Sequence, residues 1–288
     1  MTWTAAALPS FRGRTVIVTG ANSGLGQVTA AELARAGAHV ILACRDTTKG
    51  ADAAVGMAGD VEVRRLDLQD LASIRAFADG VDSVDVLINN AGIMAVPYAL
   101  TKDGFESQIG TNHLGHFALT NLLLPRINDR VVTVSSTAHL AGRISLTDIN
   151  WKDRRYSAWL AYGQSKLANL LFTAELQRRL TAAGSPVKAH AAHPGYSATN
   201  LQGHTGNRFS TPLWLAANRL LATSAEFGAA PTLYAASADL PPDSFIGPKF
   251  GARGPVSAVG RSPRARDAKT ASALWTLSEQ LTGTEFPF

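Results

Sequence analysis

The chain has 288 residues, of which 46% are hydrophobic and 17% are charged, and its formal net charge is +5. This balance is ordinary for a globular protein with one sizeable core, and no linker, repeat or low-complexity block interrupts it. The single cysteine, Cys44, excludes an intramolecular disulfide and a zinc site built from thiolates.

The same features restrict the compartment and the partners. A chain with one cysteine is expected in a reducing compartment, the cytoplasm. The N-terminus lacks the charged and apolar regions of a signal peptide, so none is expected. The sequence contains no run of about 18 apolar residues, so no membrane-spanning helix is expected. The basic cluster at 253–269 has no interleaved aromatic residues, so it predicts a solvated loop and no nucleic-acid partner. The positive charge fits an anionic ligand such as a phosphorylated cofactor.

Short apolar runs alternate with longer amphipathic runs along the chain. The apolar runs predict strands at 15–19, 39–43, 61–66, 84–88, 130–134, 187–192 and 245–250. The amphipathic runs predict helices at 25–36, 47–58, 71–78, 111–124, 161–180, 213–221, 226–236 and 268–281. Strands that are apolar on both faces and separated by helices predict the α/β class. We expect residues 1–288 to form a single Rossmann-fold domain, a doubly wound parallel sheet with helices on both faces.

Residues 196–221 follow the sixth predicted strand. Ligands bind at the carboxyl ends of the strands in such sheets, so this long insertion is predicted to be a substrate lid. Its apolar residues either line a pocket or form an ordinary helix face packed on the core, and they are Leu213, Trp214, Leu215, Leu220 and Leu221.

A glycine-rich turn lies between the first predicted strand and the first predicted helix. Residues 19–26 read T-G-A-N-S-G-L-G. Glycines let a pyrophosphate approach the helix N-terminus, where free N–H groups and the helix dipole favour negative charge. The alternative is a tight turn without a ligand. The predicted dinucleotide contacts are Gly20, Asn22, Ser23, Gly24, Leu25 and Gly26.

Tyr162 and Lys166 stand at positions i and i+4 within a predicted helix. This spacing places both side chains on one face, with Cβ atoms about 5–6 Å apart. A phenol beside an ammonium group is a candidate proton donor and acceptor. The alternative is a surface tyrosine stacked on a lysine side chain.

Further motifs follow in an order that resembles the short-chain dehydrogenase/reductase family. The turn at 19–26 has the family's T-G-x-x-x-G-x-G spacing, and residues 89–92 read N-N-A-G after the fourth predicted strand. The series continues with Asn112, Ser136, Tyr162, Lys166, Pro194, Gly195 and Thr199. Together these motifs cover residues 15–199, which is most of the chain.

The resemblance implies a catalytic set. Tyr162 would give a proton to a carbonyl oxygen, or take one from an alcohol, as hydride moves to or from the nicotinamide. Lys166 would hold the nicotinamide ribose and lower the pKa of Tyr162 through its charge. Ser136 would orient the substrate oxygen, with Ser135 as its competitor, and Asn112 would anchor a water that links Lys166 to solvent. Otherwise Ser136 caps a turn at the strand end and Asn112 only bonds to backbone.

The resemblance also implies cofactor contacts after the third, fourth and sixth strands. Asp67, next to Leu68, would accept a hydrogen bond from the adenine amino group, unless it is a helix N-cap. The other implied contacts are Leu68 near the adenine, Asn89, Asn90, Ala91 and Gly92 beneath its ribose, and Pro194, Gly195 and Thr199 around the nicotinamide.

The end of the second predicted strand distinguishes NADP from NAD. An acidic residue there would accept a hydrogen bond from the 2′-hydroxyl of NAD and repel the 2′-phosphate of NADP. The family register places neutral Cys44 there, followed by Arg45, whose guanidinium suits a phosphate. NADP is therefore predicted over NAD. Asp46 argues against it, because a shift of two residues would place its carboxylate at the ribose, and Arg45 would otherwise pair with Asp46 or Asp67.

The seven histidines predict no metal site. His113 and His116 are three residues apart, but no acidic or cysteine partner is nearby in sequence. We interpret both as helix residues near the cofactor cleft or at an interface.

Two segments narrow the predicted function. Residues 44–50 and the sequence N-H-L-G-H-F at 112–117 resemble the subgroup of retinol dehydrogenases and protochlorophyllide reductases. The predicted function is an NADP-dependent oxidoreductase that acts on the carbonyl or alcohol of a small apolar molecule. The alternatives are a reductase of a conjugated C=C bond and a non-catalytic NADP-binding sensor. Pairing of the two long helices would give a homo-oligomer.

Overall fold

The computed structural model describes residues 3–195 and 224–288. Within these ranges one sheet contains β1 (Thr15–Thr19), β2 (His39–Cys44), β3 (Asp60–Arg65), β4 (Val84–Asn89), β5 (Ile127–Val134), β6 (Lys188–Ala192), β7 (Phe245–Pro248) and β8 (Val256–Ala258). The strand order is β3-β2-β1-β4-β5-β6-β7-β8, and all neighbours are parallel except β7 and β8. The predicted Rossmann fold is confirmed.

Helices connect the strands and cover the sheet. They are α1 (Gly24–Arg35), α2 (Thr47–Val55), α3 (Leu71–Asp79), α4 (Ser107–Ile109), α5 (Gly115–Leu123), α6 (Ala158–Ala182), α7 (Ala225–Ser237) and α8 (Ala268–Thr282). A π-helical segment, Gly110–Leu114, joins α4 to α5. None of the described helices has both the length and the apolar character needed to cross a membrane.

The structure corrects the start of one predicted helix and adds a strand that was not predicted. The helix predicted at 111–124 begins earlier, because the buried carboxylate of Glu106 accepts hydrogen bonds from the N–H groups of Gln108 and Ile109, each at 2.9 Å. Such a cap satisfies N–H groups that a helix start leaves unpaired. The sequence does not predict β8, since three residues are too few to show a strand period.

Side chains of the central strands alternate between the two faces of the sheet. Ile17, Leu87 and Val131 pack with α3, α5, α6 and α8 on one face, while Val16 and Val86 pack with α1 and α7 on the other. Full burial of each such side chain stabilises the fold by roughly 1.5–3 kcal/mol. The strand order reverses between β1 and β4, so the carboxyl ends of these strands border a crevice.

We expect the free energy of unfolding to fall steeply as the pH decreases from 6.5 to 4. Burial lowers the pKa of four histidines from 6.5, to about 3 for His113 and to about 4 for His116, His190 and His193. Below pH 6.5 the unfolded chain therefore binds protons that the folded chain excludes, and stability present above that pH is lost. Each histidine adds a slope that approaches ~1.4 kcal/mol per pH unit. Urea unfolding at pH 7 and pH 5 measures the loss, and equal stabilities would contradict it.

Candidate active site

The predicted catalytic side chains come together at the carboxyl ends of β4 and β5. Tyr162 and Lys166 lie one turn apart on α6, Ser136 follows β5, and Asn112 lies in the π-helical segment. Nζ of Lys166 donates a hydrogen bond of 3.0 Å to the carbonyl oxygen of Val134, the last residue of β5. This bond fixes α6 against the end of the strand.

Tyr162 and Lys166 form a buried pair. Their exposed fractions are 6% and 3%, and Nζ of Lys166 lies 5.7 Å from the centroid of the Tyr162 ring. The alternative interpretation, a surface tyrosine stacked on a lysine, is therefore wrong.

Burial controls the ionisation of both groups. It raises the pKa of Tyr162 to about 12, and a hydrogen bond with Ser136 acts in the opposite direction. Burial also lowers the pKa of Lys166 to about 8. The pKa of Tyr162 is thus raised overall, because the cost of removing the phenolate from water exceeds the opposing contribution. The lowering expected from the charge of Lys166 remains a prediction. At pH 7 Tyr162 is a neutral phenol and Lys166 is mostly a cation.

The two serines after β5 have different partners. The hydroxyl of buried Ser135 donates to the backbone carbonyl of Lys166 at 2.8 Å. The side chain of Ser136 is close enough to Tyr162 to lower the pKa of the phenol, and its Oγ accepts from the N–H group of Ala138 at 3.2 Å. The geometry therefore places Ser136, and not Ser135, beside the phenol. The same Ser136 hydroxyl caps the turn Thr137–Leu140.

The side chain of Asn112 is held by two neighbouring segments. Its Oδ1 accepts from the N–H group of Ile93 at 2.8 Å, while its Nδ2 donates to the carbonyl of Ile93 and to Oγ of Ser165, each at 2.9 Å. A Cβ atom at Gly92 would lie 3.1 Å from Oδ1 of Asn112 and 3.5 Å from Nζ of Lys166, so a larger residue would crowd both groups. The water implied between Asn112 and Lys166 remains a prediction.

The glycine-rich turn presents the N-terminus of α1 to the crevice. Gly20 and Gly24 have φ angles of 65° and 55°, a region that glycine adopts readily. The side chain of Ser23, the N-cap of α1, makes no capping hydrogen bond, so N–H groups of the first turn remain available to an anion. A Cβ atom at Gly26 would collide with the carbonyl oxygen of Gly20 and with Asn90. The turn Gly20, Asn22, Ser23, Gly24, Leu25 and Gly26 therefore fits a dinucleotide pyrophosphate.

Thr19 joins this turn to the chain that follows β4, a role that the sequence motifs do not predict. Its Oγ1 accepts hydrogen bonds from the N–H groups of Asn90 and Ala91, both at 2.9 Å. Its carbonyl oxygen accepts from Nδ2 of Asn90 at 2.8 Å. Asn89, which was expected beneath the adenine ribose, is instead buried and donates to Oγ1 of Thr120 at 2.9 Å. A hydroxyl at the end of an apolar strand is the signal that points to Thr19.

The structure settles the helix cap after β3 and the burial of Leu68. Asp70, and not Asp67, is the N-cap of α3, so the alternative interpretation of Asp67 is wrong. Oδ1 of Asp67 accepts from the N–H group of Gln69 at 3.0 Å, and its contact with adenine remains a prediction. The side chain of Leu68 belongs to the buried core, so this side chain packs against protein rather than cofactor.

The residues after β2 bear on the choice of cofactor. β2 ends at Cys44, whose thiol pKa is raised mainly by burial. Arg45 follows and is exposed. Asp46 is the N-cap of α2, where it accepts from the N–H group of Lys49 at 3.1 Å and lies 3.8 Å from Nζ of Lys49. Its carboxylate therefore has a structural partner other than Arg45.

A second polar network holds the loop that follows Gly92. The N–H group of Ala95 donates to Oε1 of Gln108 at 2.8 Å. The hydroxyl of Tyr156 lies 3.1 Å from the carbonyl oxygen of Val96 and 3.0 Å from Oε1 of Glu106. Ala95 has a φ angle of 50°, which is rare for a residue with a Cβ atom and persists only where neighbours enforce it.

The chain after β6 contains part of the predicted nicotinamide pocket. Pro194 is half-buried. Gly195 has a φ angle of 72°, and a Cβ atom there would lie 2.6 Å from the carbonyl oxygen of Ala252. Thr199, the predicted lid at 196–221 and the predicted helix at 213–221 lie outside the described residues.

His113, in the π-helical segment, and His116, in α5, have separate environments. His113 contacts Oγ of Ser278 in α8 at 3.0 Å, whereas His116 contacts Oγ1 of Thr19 at 2.9 Å. His116 thus lies near the cofactor crevice, as expected. In the described part of the chain, no three His, Cys, Asp or Glu residues are arranged to hold a metal ion.

The sequence of this chain is similar to those of known proteins over most of its length. The family model described as short chain dehydrogenase matches residues 14–208. Human retinol dehydrogenase 13 is 46% identical, over 96% of this chain and 86% of the relative. Retinol dehydrogenase 12 of Mus musculus is 44% identical, over 95% of this chain and 88% of the relative.

Solved structures share the fold. An uncharacterised protein from Mycobacterium paratuberculosis is 70% identical and aligns over 100% of both chains with a TM-score of 0.90. The complex of Pseudomonas aeruginosa RhlG with NADP is 26% identical, with a TM-score of 0.63 over 80% of this chain and 91% of the other. A protein from Burkholderia phymatum in complex with NAD is 25% identical, with a TM-score of 0.60 over 78% and 86%.

Proposed function

Because the chain belongs to the short-chain dehydrogenase/reductase family, we propose that it is an NADP-dependent oxidoreductase of apolar carbonyls and alcohols. The observation that carries the proposal is the buried pair of Tyr162 and Lys166, with the side chain of Ser136 close enough to lower the pKa of the phenol. A scaffold or sensor would not need these three groups together.

The ionisation of the pair is suited to carbonyl reduction. When bound, NADPH supplies the hydride. Tyr162, with a pKa near 12, keeps its proton at pH 7 and gives it to the carbonyl oxygen, which Ser136 orients. Lys166, with a pKa near 8, is charged at pH 7 and stabilises the phenolate that remains. Alcohol oxidation needs the phenolate first, so a higher pH favours that direction.

The residues at the end of β2 support NADP over NAD. The exposed guanidinium of Arg45 follows β2, where it would meet a 2′-phosphate, and the carboxylate of Asp46 is occupied at the start of α2. The structural neighbours do not decide the question, since one is a complex with NADP and another a complex with NAD. The preference therefore rests on this chain's own side chains.

Exposed apolar side chains in the segments around Tyr162 and Ser136 support an apolar substrate. Trp159 is 58% exposed, and its ring centroid lies 6.3 Å from that of Tyr162. Leu140, in the turn after Ser136, and Leu160 are exposed as well. Large apolar groups gain free energy when a ligand covers them. The names of the retinol dehydrogenase relatives agree with an apolar alcohol or aldehyde.

Substitution Trp159→Ala is expected to raise the KM for a long apolar aldehyde about tenfold, because an apolar contact of this size contributes one to two orders of magnitude to discrimination. The KM for a short polar aldehyde should stay within about twofold, since a small substrate does not reach the indole. Steady-state kinetics with both aldehydes at saturating NADPH measures the difference. Equal changes for the two substrates would contradict a role in substrate binding.

The proposal is tested by following NADPH oxidation with a panel of aldehydes, ketones and conjugated enones, with NADH in parallel. We expect reduction of apolar aldehydes or ketones, faster with NADPH than with NADH. Reduction confined to the C=C bond of the enones would favour the alternative reductase. Binding of NADPH without turnover of any compound would favour the sensor.

A further inference from the structure

Buried His116 connects the two halves of the candidate site. It is 1% exposed. Its Nδ1 lies 3.1 Å from the backbone carbonyl oxygen of Asn112, and its Nε2 lies 2.9 Å from Oγ1 of Thr19. One imidazole thus contacts both the π-helical segment of the catalytic asparagine and the last residue of β1.

The partners determine which ring nitrogen carries the proton. A carbonyl oxygen only accepts hydrogen bonds, so Nδ1 of His116 is the donor to Asn112. In the neutral ring Nε2 is then an acceptor, and it accepts a hydrogen bond from the Thr19 hydroxyl. The pKa of His116 is lowered to about 4, first by burial and also by the charge of Lys166, so the ring is neutral at pH 7.

The orientation of the Thr19 hydroxyl follows from this assignment. Its proton points to His116 at 2.9 Å, in preference to the carbonyl oxygen of Ile88 at 3.4 Å. Both lone pairs then face the N–H groups of Asn90 and Ala91, each at 2.9 Å. The hydroxyl therefore makes one donated and two accepted hydrogen bonds, which is its full capacity.

We propose that His116 is a positioning residue. Through the Thr19 hydroxyl it holds the turn at Asn90 and Ala91 in a fixed position relative to Asn112. This inference rests on the proposed function, because that turn is where the dinucleotide is expected to lie. Gly92, the next residue, lies close to both Asn112 and Lys166, since an added Cβ atom would be 3.1 Å from Oδ1 of Asn112 and 3.5 Å from Nζ of Lys166. A displaced turn would therefore move the cofactor site relative to the catalytic pair.

Two substitutions separate the two hydrogen bonds of the imidazole. In His116→Asn the amide nitrogen takes the place of Nδ1, so the bond to Asn112 is kept and the acceptor for Thr19 is lost. In His116→Gln the amide oxygen reaches the place of Nε2, so the acceptor for Thr19 is kept. Thr19→Val removes the hydroxyl with little change of shape. His113→Gln is the matched control, since His113 is buried like His116 and lies one turn earlier, but contacts α8 through Ser278.

The decisive readout is the Kd of NADPH, measured by fluorescence titration without substrate. His116→Asn and Thr19→Val should each weaken NADPH about tenfold, and the double variant should be no weaker than the worse single variant, because both changes break one shared link. His116→Gln should stay within about threefold of the wild type, and His113→Gln should leave the Kd unchanged.

The proposal would be overturned if the losses of NADPH affinity in His116→Asn and Thr19→Val multiplied in the double variant. It would also be overturned if His116→Asn and His113→Gln had the same Kd. Nitrogen-15 NMR of the protein without cofactor gives a second readout, and it should show the tautomer with the proton on Nδ1 of His116. Any other tautomer would also overturn the proposal. A wild-type protein that has this tautomer but binds no dinucleotide would refute the proposed function and leave the hydrogen-bonded link itself supported.

Discussion

Substitution Tyr162→Phe is expected to abolish turnover while the affinity for NADPH stays close to that of the wild type. The change removes one oxygen atom from a side chain that is 6% exposed, and with it the only proton that this phenol can give to a substrate. A positioned general acid contributes about 10²–10⁴-fold to a rate, so kcat should fall by at least that factor. Phenylalanine fills nearly the same volume, and the bond between Lys166 and Val134 is untouched.

The matched control is Tyr234→Phe, which makes the same chemical change at a residue of α7 that packs against Trp3. This variant should keep full activity, because Tyr234 lies outside the catalytic set. Steady-state rates and the Kd of NADPH for both variants give the comparison. Wild-type turnover in Tyr162→Phe would refute the assigned acid, and a large loss of NADPH affinity would show that the phenol serves binding instead.

Substitution Arg45→Glu is expected to weaken NADPH by about 100-fold more than NADH. The two cofactors differ by the 2′-phosphate, which a guanidinium would bind through charge-assisted hydrogen bonds and a carboxylate would repel. Hydrogen bonds to a charged group contribute roughly 1.5–3 kcal/mol, and about 1.4 kcal/mol corresponds to a factor of ten. Loss of the attraction alone therefore weakens the affinity for NADPH by about 10- to 100-fold. Repulsion between the new carboxylate and the 2′-phosphate weakens it further.

The control for the charge reversal is Arg35→Glu. Arg35 is exposed at the end of α1, where it pairs with Glu32 at 2.6 Å, so both cofactors should bind to this variant as to the wild type. Titrations at several salt concentrations are informative, because screening should reduce the effect at Arg45 for NADPH only. Equal losses of NADPH and NADH in Arg45→Glu would contradict the contact with the 2′-phosphate.

The regular elements follow from local patterns that the sequence carries directly. Apolar runs such as Thr15–Thr19 and His39–Cys44 predict buried parallel strands, and the glycines at 20, 24 and 26 predict the turn between β1 and α1. The match to the family's motif order then predicts that Tyr162 and Lys166 meet Ser136, which the structure confirms.

Interactions between segments distant in sequence are the part that local patterns do not reveal. Asp67 and Asp70 are equally good N-caps by type, and only the geometry of α3 selects Asp70. Ser135 and Ser136 differ by one position, but the hydroxyl of Ser135 donates to the backbone of Lys166, whereas it is Ser136 that lowers the pKa of Tyr162. The raised pKa of Tyr162 depends on burial, a property of the packed fold that the i, i+4 spacing does not contain.

The most direct test of the central claim, proton donation by Tyr162 during hydride transfer, uses NADPH that carries deuterium on the reactive face of its nicotinamide. Mass spectrometry of the product from an apolar aldehyde should show one deuterium at the new alcohol carbon with the wild-type protein, and no product with Tyr162→Phe. Alcohol formed without deuterium, or labelled alcohol formed at the wild-type rate by Tyr162→Phe, would contradict the account.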